Sequence, residues 1–101
     1  MKASITLAEL KQLLRNKTNM VVLDVRDNTE YNDQHIPFAT NIPITAIEAG
    51  NYIPEPGRII VTACGKGGGR SEKAADLLRD MSTNDVYYLE GGTFEWMENE
   101  N

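Results

Sequence analysis

The chain contains one cysteine, Cys64, and one histidine, His35. With a single cysteine no intrachain disulfide can form, and the paired-Cys spacings of zinc or dithiol redox sites are absent. The composition therefore suits a reducing, cytoplasmic compartment. Basic side chains are also scarce, 10 against 15 acidic, and the net charge of −5 repels the phosphates of nucleic acids and anionic lipids. No nucleic acid and no membrane is expected as a partner. Long apolar runs are missing as well: Met1 to Leu14 interleaves Thr6, Glu9 and Lys11 among its apolar residues, which fits neither a signal peptide nor a membrane span. Four prolines and eight glycines in 101 residues are too few for a disordered or collagenous chain. What remains is a globular composition, 41% hydrophobic, of a size to form one domain over residues 1–101.

Local patterns divide this domain into alternating elements. Thr6 with Glu9 makes a capping box, and Leu7, Leu10, Leu13 and Leu14 share a helical face, so a helix is predicted over about residues 6–16. Met20 to Val25 is an apolar, β-branched run that predicts a strand buried on both faces. Asp27 or Asn28 caps a short helical turn through Tyr31, after which Pro37 and Pro43 impose an extended path. A weaker helical stretch covers Thr45 to Ala49, a second buried strand Arg58 to Ala63, a helix Ser71 to Met81, and a third strand Val86 to Leu89. Thr93 is placed to cap a final short helix carrying Trp96. Strands alternating with helices argue for an α/β sandwich with a mainly parallel sheet.

The stretch that carries chemistry is Thr62-Ala63-Cys64-Gly65-Lys66-Gly67-Gly68-Gly69-Arg70-Ser71, set between a strand and a helix. Ligands of open α/β sheets bind at the carboxyl ends of strands. Glycines free the backbone to turn several N–H groups inward as a nest for an anion, and the following helix adds its positive end. Lys66 and Arg70 should lower the Cys64 pKa and favour the nucleophilic thiolate, and the forked donors of Arg70 suit an oxyanion. Ser71 offers either a helix-cap hydroxyl or a further donor to that anion. A lone cysteine at a strand end also fits simple packing. Four glycines among the next five residues, followed by arginine, serve no obvious packing purpose.

This loop resembles the active-site loop of rhodanese-like domains. Two further stretches carry the resemblance: Leu23-Asp24-Val25-Arg26 with Glu30-Tyr31 and His35-Ile36-Pro37-Phe38-Ala39, and Leu89-Glu90-Gly91-Gly92-Thr93-Phe94-Glu95-Trp96. Together they span nearly the whole chain in the family's order. The resemblance implies a five-stranded, mainly parallel sheet flanked by helices in three layers, and transfer of sulfane sulfur. Cys64 would take sulfur from thiosulfate or a similar small anionic donor and pass it, as a persulfide, to cyanide or a thiol, a protein acceptor included. Gly65, Lys66, Gly67, Gly68, Gly69, Arg70 and Ser71 would bind the donor and the persulfide. No cofactor and no metal is implied.

Gln34 and Phe38 depart from the family's usual glycines near His35, where packing alone should register the change. The loop departs too. Five residues separate Cys64 from Arg70, where the family's sulfurtransferases usually have four. Five is the spacing of phosphatase and arsenate-reductase relatives of the fold, so oxyanion chemistry stays open, as does a non-catalytic binding or redox-sensing module. Against a phosphatase, Ala63 stands where those branches place histidine, and the loop has no acid, leaving Asp24 or Asp27 as remote proton donors. His35, Asp24 and Arg26 are expected to be structural, and Trp96 with Phe94 to pack the last helix onto the core.

Overall fold

A strand buried on both faces needs helices above and below it, and that requirement shapes the whole molecule. The computed structural model describes residues 3–66 and 68–100. In chain order the elements are β1 (Ser4–Ile5), α1 (Leu7–Arg15), β2 (Met20–Asp24), α2 (Asn28–Asp33), β3 (Thr40–Asn41), α3 (Ile44–Glu48), β4 (Ile59–Ala63), α4 (Arg70–Met81), β5 (Val86–Leu89) and α5 (Gly92–Glu98). The five strands form one sheet in the order β1-β5-β4-β2-β3, with every pairing parallel. The expected α/β sandwich and five-stranded sheet are what the chain builds.

The two central strands, β2 and β4, send alternate residues to opposite faces. On one face Val22 and Val61 join Leu10 of α1 and Trp96 of α5. On the other, Leu23 and Ile60 join Ile47 of α3 and Ala74, Ala75 and Leu78 of α4. Small alanines on α4 let that helix lie close to the sheet, directly behind the end of β4. The register Leu23 to Thr62 and Asp24 to Ala63 then sets the carboxyl ends of β2 and β4 side by side. Ala63 continues the pairing by accepting a 2.9 Å hydrogen bond from the Val25 amide.

The capping box of α1 forms as expected: Thr6 Oγ1 accepts from the Glu9 amide at 3.1 Å, and Glu9 Oε1 accepts from the Thr6 amide at 2.8 Å. A second box starts α2, where Asp27 accepts from the Glu30 amide and Glu30 accepts from the Asp27 amide. One expectation needs correction at the last helix. Thr93 does not cap it; the cap residue is Gly91, at φ +77°, and Thr93 lies inside the first turn with its hydroxyl buried and without a hydrogen-bond partner. Gly91-Gly92 supplies the two positive φ angles that turn the chain from β5 into α5, a turn no side chain at Thr93 could make.

Candidate active site

Cys64 is the first residue past β4, the central strand, and is 6% exposed. Its thiol donates to the Gly68 carbonyl at 2.9 Å and to Ser71 Oγ at 3.2 Å. Ser71, fully buried in the first turn of α4, donates its hydroxyl to the same carbonyl at 3.1 Å. Its own carbonyl accepts from Thr62 Oγ1 at 2.7 Å, which ties the start of α4 to the last turn of the strand. From the opposite face, α5 fastens the beginning of the loop: the Thr93 amide donates to the Cys64 carbonyl at 2.8 Å and the Phe94 amide to the Gly65 carbonyl at 3.0 Å. The sulfur thus lies at the junction of a strand end and two helix starts.

The expected loop residues distribute as follows. Gly65 is held against the Phe94 ring; a Cβ built there would come within 3.2 Å of it. Lys66 is exposed, and Gly67 lies outside the described residues. Gly68 presents its carbonyl, not an amide, to the sulfur. Gly69 is the cap residue of α4 at φ +42° and ψ −98°, and Ser71 is not a cap. Of the two readings for Ser71, its hydroxyl is the one already within hydrogen-bonding reach of the sulfur.

Arg70 already has a carboxylate partner. Its guanidinium holds both oxygens of Glu30, Nη1 to Oε1 at 2.7 Å and Nη2 to Oε2 at 3.0 Å. The hydrogen bonds from Arg70 pull the Glu30 carboxyl down to about 2, against the opposing effect of burial, and the backbone bond from Asp27 helps. In return the Arg70 guanidinium is held above its usual value, first by its bonds to Glu30 and in smaller part by the charge of Cys64. This fork braces the loop's far end to the start of α2. The sequence carried a signal for Glu30, since Asp27-x-x-Glu30 repeats the spacing of Thr6-x-x-Glu9.

The candidate remote acids are committed elsewhere. Asp24 is fully buried in a two-pronged ion pair with Arg26, Nη2 to Oδ2 at 2.7 Å, and also accepts from the Arg26 amide. Arg26 is held above its usual value by that bond, against desolvation. Asp27 is the cap of α2. His35 stacks on Tyr31, with ring centroids 3.9 Å apart, and its Nδ1 lies 2.8 Å from the Tyr31 carbonyl. These are the structural roles expected of Asp24, Arg26 and His35. Trp96 packs into the core as expected, but Phe94 is 41% exposed beside the cysteine loop.

A family model described as the rhodanese-like domain matches residues 6–99. Among solved structures, the human single-domain sulfurtransferase TSTD1 superimposes with a TM-score of 0.86 at 25% identity, all of both chains being covered. Curated relatives include a probable adenylyltransferase/sulfurtransferase MoeZ of Mycobacterium tuberculosis, 31% identical over 93% of this chain and 24% of its own length. A putative sulfur carrier protein YrkF of Bacillus subtilis is 30% identical over 91% of this chain and 49% of its own. The chain spans half or less of the length of these curated relatives. No described helix is long and apolar enough to cross a membrane.

Proposed function

Because the chain belongs to the rhodanese-like domain family, we propose that it is a sulfurtransferase in which Cys64 carries sulfane sulfur as a persulfide. The observation that carries this reading is the placement of the Cys64 sulfur at the end of the central strand, 3.2 Å from the Ser71 hydroxyl at the start of the 12-residue helix α4. A helix start favours negative charge, and a hydroxyl that now accepts from the thiol can turn to donate to an anion.

In the loading half-reaction the thiolate attacks the outer sulfur of thiosulfate. The sulfur–sulfur bond of the donor breaks, sulfite leaves with the electron pair, and the new bond is Cys64 Sγ–S. In the second half-reaction cyanide or a thiolate attacks the terminal sulfur and Cys64 departs as the thiolate. Gly65, Gly68, Gly69 and Ser71 form the cup, Lys66 draws the anionic donor from solution, and Arg70 keeps the cup's far wall in place through Glu30. The sulfur-carrier name of the bacterial relative supports a protein among the acceptors, and the single cysteine suits a reducing, cytoplasmic setting.

The test is an intact-mass measurement after incubation with thiosulfate. A gain of one sulfur, about 32 Da, removed by cyanide and absent in Cys64→Ser, is the expected outcome of two-step nucleophilic catalysis. No gain sinks the reading.

A second reading, oxyanion chemistry, draws on the five-residue spacing to Arg70 and on a structural neighbour described as a possible tyrosine phosphatase from Rhodopseudomonas palustris, at 26% identity and a TM-score of 0.77. It requires Arg70 to leave Glu30 and an acid to reach the leaving group. A phosphocysteine trapped from an aryl phosphate would favour it over sulfur transfer.

A further inference from the structure

The Gly68 carbonyl has the wrong polarity for the anion that sulfur transfer places beside it. Three donors converge on that one oxygen: the Cys64 thiol at 2.9 Å, the Ser71 amide at 3.1 Å and the Ser71 hydroxyl at 3.1 Å. The contact is favourable while the sulfur keeps its proton. Once the proton leaves to solvent and the electron pair stays on sulfur, a thiolate faces the negative end of a carbonyl dipole, and a persulfide anion would do the same.

We propose that the Gly68–Gly69 peptide is a two-state element of the site, carbonyl inward over the protonated thiol and turned over, with the Gly69 N–H inward, over the sulfur anion. For its persulfide arm this rests on the sulfur-transfer reading; for its thiolate arm it does not.

Space does not explain why glycine occupies these positions, because a Cβ on Gly68 or Gly69 would meet nothing within 4 Å. Conformation does. Gly69 stands at φ +42°, where side-chain-bearing residues are rarely found. A planar peptide that turns over changes ψ of the residue before it and φ of the residue after it, with little movement of the Cα atoms. At Gly69 the turn carries φ from positive to negative, and only glycine occupies both at little cost.

Described residues on both sides of this peptide are held in place. Cys64 and Gly65 are fastened to α5 through their carbonyls, the Gly69 carbonyl accepts from the Lys73 amide at 3.0 Å, and the Ser71 carbonyl is held by Thr62. Turning the Gly68 carbonyl outward also frees the Ser71 hydroxyl, which then donates to the sulfur it already lies beside. The charges around Cys64 are Arg70, with Glu30 and Asp27 of α2 behind it, and Lys66 in the loop. Cys64 belongs to a buried cluster with Leu23 of β2, Val25 just past it, Ile47 of α3 and Ala74 of α4, which are all apolar.

The decisive experiment follows the Gly69 amide resonance of nitrogen-15-labelled protein while the thiolate ultraviolet absorbance is titrated with pH. The amide proton should move downfield with the same midpoint as the thiolate. A Gly69 resonance that stays put while the thiolate forms overturns the proposal, whether or not thiosulfate adds mass to the protein. The second arm is Gly69→Ala, which penalises the carbonyl-inward state. At a pH below the midpoint its thiolate fraction, and with it the rate of alkylation by iodoacetamide, should rise about tenfold, the cost expected of a side chain at positive φ. A folded variant alkylated no faster than the parent overturns the proposal; if the variant does not fold, the titration of the parent protein decides.

Discussion

Arg70 and Glu30, 40 residues apart in sequence, meet fork to fork, and Glu30 is at the same time the reciprocal member of the capping box that starts α2. One carboxylate therefore couples the start of α2 to the start of α4, with the cysteine loop ending between them. The Arg70 and Glu30 side chains are 44% and 38% exposed, so solvent screens the pair and its worth is about 1 kcal/mol or less.

A double-mutant cycle separates bracing from anion binding. If Arg70 acts through Glu30, then Glu30→Gln, Arg70→Gln and the double variant should slow persulfide formation to a similar degree, several-fold, with the double no worse than either single. If Arg70 holds the donor directly, Arg70→Gln should be far slower than Glu30→Gln. Sulfite release from thiosulfate reads both.

Acid should loosen the same junction. The Glu30 carboxyl is depressed in the folded chain, from the usual 4.5 to about 2, so its contribution to stability is present in full above 4.5 and is lost as the pH falls through that window. Urea midpoints measured at steps from neutrality to below pH 3 should fall more steeply in the parent protein than in Glu30→Gln.

The largest single effect on stability is expected at Asp24 and Arg26. Both are nearly inaccessible, and their pair is completed by the Arg26 amide on Asp24 and by Asn41 Nδ2 donating to the Asp24 and Arg26 carbonyls, each at 3.0 Å. Removing one partner alone strands a buried charge. Asp24→Ala should cost about 3–5 kcal/mol, measurable as a loss of denaturant midpoint, whereas replacing both residues with apolar ones of similar volume should cost less.

Two glycines beside the site should respond differently to alanine. At Gly91 the backbone has φ +77° and a Cβ would come within 2.8 Å of three Glu95 side-chain atoms, so Gly91→Ala should cost about 1–3 kcal/mol. At Gly65 no positive φ is required, and the obstacle is the rim of Phe94, an exposed ring that has room to shift. Gly65→Ala should cost less than about 1 kcal/mol and nothing in a Phe94→Ala background, where the contact no longer exists.

Much of this architecture is written locally. The box of Thr6 and Glu9, the β-branched runs of β2 and β4, and the alanine-rich face of α4 each declare an element without reference to the rest of the chain. The two short strands do not. Ser4–Ile5 and Thr40–Asn41 have only two residues each, too few for any periodicity, and they exist because β5 and β2 offer open edges to pair with. The site divides in the same way. A cysteine followed by glycines and arginine is visible in sequence, yet the direction of the Arg70 side chain depends on a partner 40 residues earlier, and the Gly68 carbonyl finds its donors, the Cys64 thiol and the Ser71 amide and hydroxyl, only in the folded loop. Aromatics after a Gly-Gly break usually anchor a helix, which predicts core positions for both Phe94 and Trp96; Trp96 takes that place and Phe94 is left against the loop.

The pairing of β1 with β5 has a consequence for how the molecule is made. Ser4 and Ile5 lie opposite Tyr88 and Leu89, and the Tyr88 and Glu90 amides donate to the Ala3 and Ile5 carbonyls. On a ribosome, which releases a chain in the amino-to-carboxyl direction, β1 emerges more than 80 residues before the β5 segment it pairs with. Until then Ile5 and the Leu10 face of α1 have no β5 and no Trp96 to cover them, so in the nascent chain this apolar surface waits for β5 and α5 to follow.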